Sequence, residues 1–373
     1  MDKLNAPFRY DIVGSFLRPE AIKTARAQYA QGQITLDRLR DVEDVEVAKL
    51  IERQKAAGLH AVTDGEFRRR WWHLDFLAGF NGIEVYDFET DGFGVKKMMQ
   101  STYVSEPLSF DPAHPFLEGF KRTQEIAGDV PVKQTIAGPN MITLDSVVLS
   151  AQYAANPVYR DLDELREALA KVYQDAIRAF YDAGCRYLQL DDTSWGALFS
   201  KRFRDRITAC GYDPDKLIDV FGDITEAALE GRPSDMVITT HMCKGNFMSH
   251  WLYEGTYETV ARRLLGIRGI DGFFLEYDDE RSGDFSPLRF LPKDTDQRVV
   301  LGLVTTKDPK LEDAAPIRDR IYEAAKVVDL DRLCLSPQCG FSSTEEGNVL
   351  SEEDQWKKLR LVREVAESVW ADA

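Results

Sequence analysis

The chain contains eight short apolar runs, each of which ends in polar residues, and most of which are followed by a helical pattern. Apolar runs that alternate with amphipathic helical stretches are typical of parallel βαβ units. Eight such units predict a single closed (β/α)8 TIM barrel, whose active site lies at the carboxyl ends of the strands. The runs cover residues 10–16, 60–67, 132–139, 186–192, 236–243, 272–277, 299–307 and 332–339.

Helical spacing of apolar residues predicts six helices, at 36–57, 163–183, 213–229, 258–265, 312–328 and 352–370. Asp213 is a candidate N-cap, and Pro214 suits the first helical position. The longest departure from the alternation covers residues 68–130, which we interpret as an insertion over the barrel mouth between the second and third strands. An open doubly wound sheet is the alternative fold, but the first turn lacks the glycine-rich phosphate loop of that class.

The composition argues against several classes of protein. A net charge of −16 over 373 residues disfavours nucleic acid or an anionic membrane as partner. No apolar run approaches the roughly 18 residues of a membrane span, and the amino-terminal segment lacks the apolar core of a signal peptide. Five cysteines are too few and too scattered for a disulfide framework. We therefore expect a reduced, cytoplasmic protein with one domain over residues 1–373, and a homo-oligomer is left open.

Two strand ends carry residues that are typical of a zinc site. His241 and Cys243 follow the apolar run 236–240, and strand alternation places both side chains on one face. Cys339 ends the eighth run, and Glu276, at the end of the sixth, is a candidate further ligand. One imidazole and two thiolates suit zinc, and an open coordination position indicates catalysis. A free cysteine also packs as a small hydrophobic residue, and this is our interpretation of Cys185, Cys210 and Cys334.

The other runs also end in chemically useful groups, among them Ser15, Glu66, Asp191 and Lys307. In a barrel these groups converge on one rim and share one pocket. The basic and aromatic stretch 68–72 (RRRWW) follows the second run. We interpret it either as a rim loop that faces an anionic small molecule or as a salt-bridged, solvated surface.

At these residues the chain resembles the catalytic barrel of the cobalamin-independent methionine synthase family, over nearly its full length. It is especially similar to the short, single-barrel members. The resemblance rests on the motifs VGS at 13–15, DGEF at 64–67, LQLD at 188–191, HMC at 241–243, LEY at 275–277 and PQCG at 337–340.

The resemblance implies a metal site and a chemistry. Zinc would be held by His241, Cys243, Glu276 and Cys339. The activity would be that of a 5-methyltetrahydropteroyltriglutamate–homocysteine S-methyltransferase, which forms methionine. A thiol is mostly protonated at neutral pH, and its coordination to zinc would deprotonate it for attack on a methyl group.

The resemblance also implies a homocysteine pocket. Ser15 would contact the carboxylate of the amino acid, and Glu66 and Asp191 would hold its ammonium group.

Two departures from the family pattern concern the methyl donor. The folate-dependent enzymes have two barrels, whereas this chain has one. A histidine that acts as an acid in the family aligns with Lys307, and a tryptophan that stacks on the pterin aligns near Asp145. Lys307 could donate a proton if burial lowered its pKa. The donor is therefore left open between a methylfolate polyglutamate, a methylcorrinoid protein and a small methylated metabolite.

Three other functions are compatible with parts of this pattern. A zinc-dependent transferase that opens epoxides with a sulfonated thiol would leave Glu66 and Asp191 beside an anion. A metal-free decarboxylase similar to the uroporphyrinogen enzymes would give the His241, Cys243 and Cys339 set no role. A non-catalytic zinc-binding or thiol-binding protein would use the same ligands without turnover.

Overall fold

The computed structural model of the protein describes residues 3–90 and 97–373. Within them, six parallel strands form one sheet in chain order, and two antiparallel strands form a separate hairpin. The hairpin comprises β1 (Asn81–Thr90) and β2 (Lys97–Ser109). The sheet comprises β3 (Lys133–Ala137), β4 (Tyr187–Asp191), β5 (Val237–Met242), β6 (Gly272–Glu276), β7 (Arg298–Val304) and β8 (Leu333–Pro337).

The six sheet strands confirm the third to eighth predicted runs and the α/β class of the fold. The first two runs are not strands. Each is joined to the sheet by a single parallel bridge, from Tyr10 to Leu335 of β8 and from Val62 to Val132 beside β3. The closed eight-stranded barrel therefore stays a prediction.

In and beside the first two runs, side chains accept hydrogen bonds from backbone N–H groups that a continuous strand would use to pair with its neighbours. The N–H groups of Phe8 and Ile12 donate to the Asp11 carboxylate, at 3.2 and 2.7 Å. The Thr63 N–H donates to the amide oxygen of Gln54 at 3.0 Å. These local bonds compete with pairing between strands and account for the difference from the sequence prediction.

All six predicted helices form, with bounds that shift by at most a few residues. Asp213 accepts a hydrogen bond from the Asp215 N–H, which confirms the predicted cap. The helix predicted over 312–328 is shorter at both ends and spans Ala314–Ala324. Before its first residue, the Glu312 carboxylate binds the Thr305 N–H and Lys358. The six helices are α2 (Leu36–Ala56), α7 (Leu162–Asp182), α10 (Pro214–Leu229), α11 (Glu258–Leu265), α12 (Ala314–Ala324) and α13 (Glu352–Val369).

Several shorter elements were not predicted. The α-helices are α1 (Glu20–Ala30), α3 (Leu74–Leu77), α4 (Pro115–Ala127), α5 (Pro139–Met141), α6 (Ala151–Ala155), α8 (Trp195–Phe199) and α9 (Lys201–Ala209). Residues Ile142–Val148 form a π-helical segment, and Glu280–Ser282, Ser286–Phe290 and Leu330–Arg332 are 3₁₀ turns. Across residues 3–90 and 97–373, no helix combines the length and apolar character that a membrane crossing requires.

The predicted insertion, residues 68–130, holds α3, the hairpin and α4 rather than an irregular loop. The hairpin is fixed to the rest of the fold by buried contacts. Thr102 in β2 shares a 2.7 Å hydrogen bond with Ser146 of the π-helical segment, and the Leu108 N–H donates to the Tyr159 hydroxyl at 2.8 Å. The insertion therefore forms part of the folded body beside the carboxyl end of β3.

Candidate metal centre and substrate cavity

Three side chains that could hold a metal ion meet at the carboxyl ends of β5 and β8. His241 is the second-last residue of β5, Cys243 follows β5, and Cys339 follows β8. Their ligand atoms all lie within 4.8 Å of one another, and each residue is only 3 % exposed. The structure thus brings together the three predicted ligands that are separated by almost a hundred residues of sequence.

The orientation of His241 suits metal binding. Its Nδ1 lies 3.1 Å from a carboxylate oxygen of Asp191, at the end of the neighbouring strand β4. Its Nε2 is buried and has no hydrogen-bond partner among the described residues. Buried ring nitrogens are almost always paired, and a carboxylate on one nitrogen typically orients the other toward a metal. The donor set of one imidazole and two thiols therefore fits zinc.

The same three groups hold protons that a divalent cation could replace. A hydrogen bond from the Cys243 thiol keeps the pKa of Cys339 well below its usual range, although burial opposes this. Burial lowers the pKa of His241, but the bond to Asp191 and the negative charge that Cys339 carries nearby raise it to about 10. The Cys339 sulfur therefore carries negative charge and lies close to the Cys243 thiol and the His241 imidazolium. A metal ion bound between the three groups would displace the protons of Cys243 and His241.

Glu276, the predicted fourth ligand, lies outside this group of three. It is fully buried at the end of β6, and one carboxylate oxygen accepts a hydrogen bond from the Lys244 N–H at 2.8 Å. The other oxygen binds Lys307 Nζ at 3.2 Å and Arg281 at 3.3 Å. Its role as a metal ligand stays a prediction, because binding would require these contacts to rearrange.

Lys307 is buried at the end of β7 between two acidic groups. Its Nζ lies 3.2 Å from Glu276 and 3.9 Å from Asp278. Burial lowers the pKa of Lys307, but the two carboxylates outweigh it and hold the pKa above its usual range. The predicted role as proton donor depended on a lowered pKa, so this geometry does not support it, and the role stays a prediction.

A cavity of about 430 Å³ reaches the three candidate ligands, and Ser15, Glu66 and Asp191 line it as well. All three predicted substrate-binding residues therefore share one space with the metal centre. Neither Glu276 nor Lys307 lines this cavity. The Asp191 carboxylate also accepts a 2.7 Å hydrogen bond from Gln189, which fixes its position between His241 and the open space.

Glu66 is held in an unusual backbone conformation at the edge of the cavity. Gly65 and Glu66 have φ angles of 67° and 61°, and the Glu66 N–H donates to Asp64 at 2.8 Å. One carboxylate oxygen of Glu66 accepts from the Thr135 hydroxyl at 3.1 Å, and the other is buried without a partner. A left-handed glutamate is strained, and such strain is concentrated at functional sites.

Burial raises the pKa of Glu66 to about 7; Arg69 opposes the shift and Asp191 adds to it. An acid with a raised pKa favours the folded state when it is neutral, and this stability is lost as the pH rises through 7. We expect Glu66→Gln to increase the free energy of unfolding at pH 8 by up to about 3 kcal/mol, and by little near pH 4. Urea denaturation at both pH values measures the effect, with the exposed Glu118→Gln as control. An equal gain at both pH values would contradict the explanation.

Ser15 lies against the loop that carries Cys339. Its hydroxyl oxygen accepts from the Ser342 N–H at 3.2 Å, and a Cβ atom on Gly340 would lie only 1.9 Å from that oxygen. The glycine in the motif PQCG is therefore required by the close approach of Ser15 rather than by its backbone angles.

Gly340→Ala should displace Ser15 and destabilise the protein by about 1–3 kcal/mol, the usual cost of overpacking. Ser15→Ala combined with Gly340→Ala removes the shortest contact. Urea denaturation should therefore show a smaller further loss when Gly340→Ala is made in the Ser15→Ala background than in the wild type. Equal losses in both backgrounds would show that Ser15 does not limit residue 340.

In the stretch 68–72, the two tryptophans line the cavity and the three arginines bind other parts of the protein. Arg68 pairs with Asp44 at 2.6 Å, Arg69 donates to the Thr135 carbonyl at 2.7 Å, and Arg70 pairs with Glu345 at 3.2 Å. None of these arginines lines the cavity, whereas both tryptophans of the stretch do. The structure supports the salt-bridged interpretation of the arginines and not a cationic rim for an anionic molecule.

Sequence analysis missed much of the outer cavity wall. The hairpin contributes Tyr86, Phe88 and Met99, and α9 contributes Phe203 and Arg206. No strand-end pattern marks these residues. Asp145 also lines the cavity from the π-helical segment, and the only signal for it was its place after the Gly-Pro turn that begins at residue 138.

The protein thus has a parallel-stranded α/β fold with a candidate metal site, formed by two buried thiols and an imidazole at the carboxyl ends of β5 and β8. The family model "Cobalamin-independent synthase, Catalytic domain" matches residues 10–368. The chain belongs to this family.

Known proteins similar to the chain agree with this assignment. YxjH of Bacillus subtilis strain 168, an uncharacterized protein, is 47 % identical over 98 % of the chain and 95 % of its own length. The structure of a putative vitamin-B12-independent methionine synthase from Listeria monocytogenes is 40 % identical and covers 98 % of both chains, with a TM-score of 0.77.

A B12-independent methionine synthase from Shewanella sp. W3-18-1, solved with selenomethionine, shares the fold at 19 % identity, with a TM-score of 0.72 and 97 % of both chains covered. The 5-methyltetrahydropteroyltriglutamate–homocysteine methyltransferase of Trichodesmium erythraeum is 22 % identical over 89 % of the chain. The chain spans only 40 % of the length of that enzyme.

Proposed function

We propose that the protein is a zinc-dependent methyltransferase that transfers a methyl group to the thiol of homocysteine and so forms methionine. The observation that carries this proposal is the buried group of His241, Cys243 and Cys339, whose ligand atoms lie within 4.8 Å of one another beside a substrate-sized cavity. Membership of the cobalamin-independent synthase family supports the reaction type.

His241, Cys243 and Cys339 would hold the zinc ion, and Glu276 is the candidate fourth ligand. When bound, zinc lowers the pKa of a coordinated thiol, so that the nucleophilic thiolate is present at neutral pH. The chain's own residues orient the site: Asp191 fixes the His241 ring so that Nε2 points away from its hydrogen-bonded side. The burial of all three ligand residues keeps water from competing for the reacting atoms.

The acidic residues of the cavity favour an amino-acid thiol. Glu66 offers a buried carboxylate oxygen without a partner, and Asp191 lies on the same cavity. An ammonium group between them would satisfy these charges, whereas a sulfonated thiol would be repelled. Ser15 is available to contact the amino-acid carboxylate. The selenomethionine in the Shewanella structure is chemically similar to the expected product and agrees with this proposal.

We also propose that the six-stranded sheet and the first two runs form a closed barrel. The bridges of Tyr10 and Val62 to the two ends of the six-stranded sheet, together with the 3.0 Å bond from the Phe16 N–H to the Gly65 carbonyl, support a closed eight-stranded barrel. We propose a single catalytic domain, with the insertion forming one wall of the cavity. Five unpaired cysteines are compatible with a reducing, cytoplasmic location.

Zinc-edge X-ray absorption on the purified protein, with and without homocysteine, tests the proposal. We expect one zinc ion per chain with two sulfur neighbours, rising to three when homocysteine is added. A zinc ion whose sulfur count stays at two would refute homocysteine as the acceptor. Protein that neither contains zinc nor takes it up would refute the metal chemistry.

A further inference from the structure

We propose that the outer part of the cavity binds a methyl donor whose methyl group is carried on a positively charged sulfur or nitrogen, that is, a methylsulfonium or a quaternary methylammonium compound. This inference rests on the proposed methyl transfer to a thiol and concerns its second substrate. It follows from three features of the cavity: its aromatic walls, its excess of carboxylates, and one carboxylate that no protein group pairs.

Aromatic rings from separate parts of the chain form the outer walls. Trp71 stacks on Phe247 with ring centres 5.7 Å apart, and Phe203 meets Tyr253 edge-on at 4.8 Å. These four rings are between 2 and 8 % exposed, so packing fixes them in place. The face of an aromatic ring attracts a cation, and methylated onium groups are recognised by such rings because they are large and weakly hydrated.

The charges on the cavity wall are mainly negative. Glu66, Asp145 and Asp191 line it, and Arg206 is the one arginine or lysine of the described chain that does so. Arg68 and Arg70 pair away from the cavity, as described above, and Arg69 lies 3.5 Å from one carboxylate oxygen of Glu66 without lining the cavity. Glu66 and Asp191 are assigned to the homocysteine ammonium, which leaves Asp145 for another ligand. A donor that carries several negative charges would find few cations here.

Asp145 is suited to pair with such a cation. It lies in the π-helical segment, where the departure from α-helical pairing often marks a functional position. No hydrogen bond or close ion pair reaches its carboxylate among the described residues, although the charge of Arg206 acts on it from farther away. The charge of Asp145 in turn acts on Tyr253 of the aromatic wall. The carboxylate and the aromatic rings thus line the same cavity.

The chemistry balances without a further reactant. The homocysteine thiol releases its proton to solvent on binding, the sulfur forms a bond to the methyl carbon, and the bond from that carbon to the onium atom breaks. The bonding electrons pass to the onium atom, so that a neutral thioether or tertiary amine leaves. An anion and a cation thereby give two neutral products, which a dry, low-dielectric cavity favours over water. The leaving group needs no proton donor.

Calorimetric titration with a matched pair of non-reactive probes tests the subsite. Choline and 3,3-dimethylbutan-1-ol have the same shape, but only choline carries the positive charge. Homocysteine is left out, so that choline has no acceptor and cannot react, and we expect the zinc-loaded protein to bind choline at least about tenfold more tightly than the neutral alcohol. Asp145→Asn should remove most of that preference, whereas Asp219→Asn, a change at an exposed residue on α10, should not. Equal binding of the two probes by the wild-type protein would overturn the inference.

A donor comparison distinguishes the sources of the methyl group. Methionine formation is measured with S-methylmethionine, glycine betaine and 5-methyltetrahydrofolate triglutamate as donors. Turnover with either of the first two supports the inference and identifies sulfonium or ammonium as the source. Turnover with the folate alone would overturn it and leave the proposed function intact. Failure to bind homocysteine would instead refute the proposed function, and the choline pair would still report on the subsite.

Discussion

Cys339→Ser should release the metal and abolish methyl transfer together. Cys339 lies within 4.8 Å of the other two candidate ligands, and a serine hydroxyl is a much weaker zinc ligand than a thiolate. Removal of a group that hydrogen-bonds a metal ligand typically lowers metal affinity or activity 10- to 100-fold. Removal of a ligand itself should therefore lower metal affinity by more than about a hundredfold. Zinc content and the rate of methionine formation, measured on the same preparation, report the two effects.

Cys334→Ser is the matched control, because Cys334 lies in β8 shortly before Cys339, is fully buried and is not part of the candidate metal centre. Its thiol contacts the Pro7 carbonyl instead. This control should keep its zinc and its activity, even if the free energy of unfolding falls slightly. If Cys339→Ser retained full activity without zinc, the proposed chemistry would be wrong.

Glu66→Gln should weaken homocysteine binding by about a hundredfold. The change keeps the shape of the side chain but removes the charge that would face the ammonium group, and hydrogen bonds to charged groups contribute up to about 3 kcal/mol. The dissociation constant is measured for homocysteine and for 4-mercaptobutanoate, which is the same molecule without its amino group. Only the affinity for homocysteine should fall, because only homocysteine presents the ammonium group.

The protonation of Glu66 determines how homocysteine binding should change with pH. With a pKa of about 7 in the protein without substrate, Glu66 is increasingly neutral as the pH falls below 7. Homocysteine binding to the wild type should therefore weaken from pH 8 to pH 6, and binding to Glu66→Gln should change less. Equal losses for both thiols in the variant would show that Glu66 acts on the cavity as a whole and not on the amino group.

The sequence was sufficient to predict that three candidate metal ligands lie together. A histidine and a cysteine two positions apart at a strand end must share a face, and parallel strands bring their carboxyl ends to one edge. The structure brings His241, Cys243 and Cys339 together as this logic requires. The logic did not extend to Glu276, because nothing local in the sequence indicates that Lys307 and Arg281 would bind its carboxylate.

The outer cavity could not be predicted in the same way. Its rings come from the stretch 68–72, the hairpin, α9 and the loop after β5, and their meeting depends on how the insertion packs on the sheet. The first two runs show a second limit: Asp11 and Gln54 bind backbone amides that the apolar pattern assigned to strands. Periodicity describes which face is buried, but not which polar side chain replaces a neighbouring strand.

The hairpin of β1 and β2 separates two tasks along the chain. The candidate metal ligands and the residues assigned to homocysteine lie at the ends of sheet strands or of the first two runs, whereas Tyr86, Phe88 and Met99 of the cavity wall come from one continuous insertion. A change of residues within that insertion can therefore alter which second substrate fits and leave the thiol site untouched. Exchange of the hairpin between relatives should therefore alter the size and shape of the cavity while Asp145, Phe203 and Tyr253, which lie outside it, stay in place.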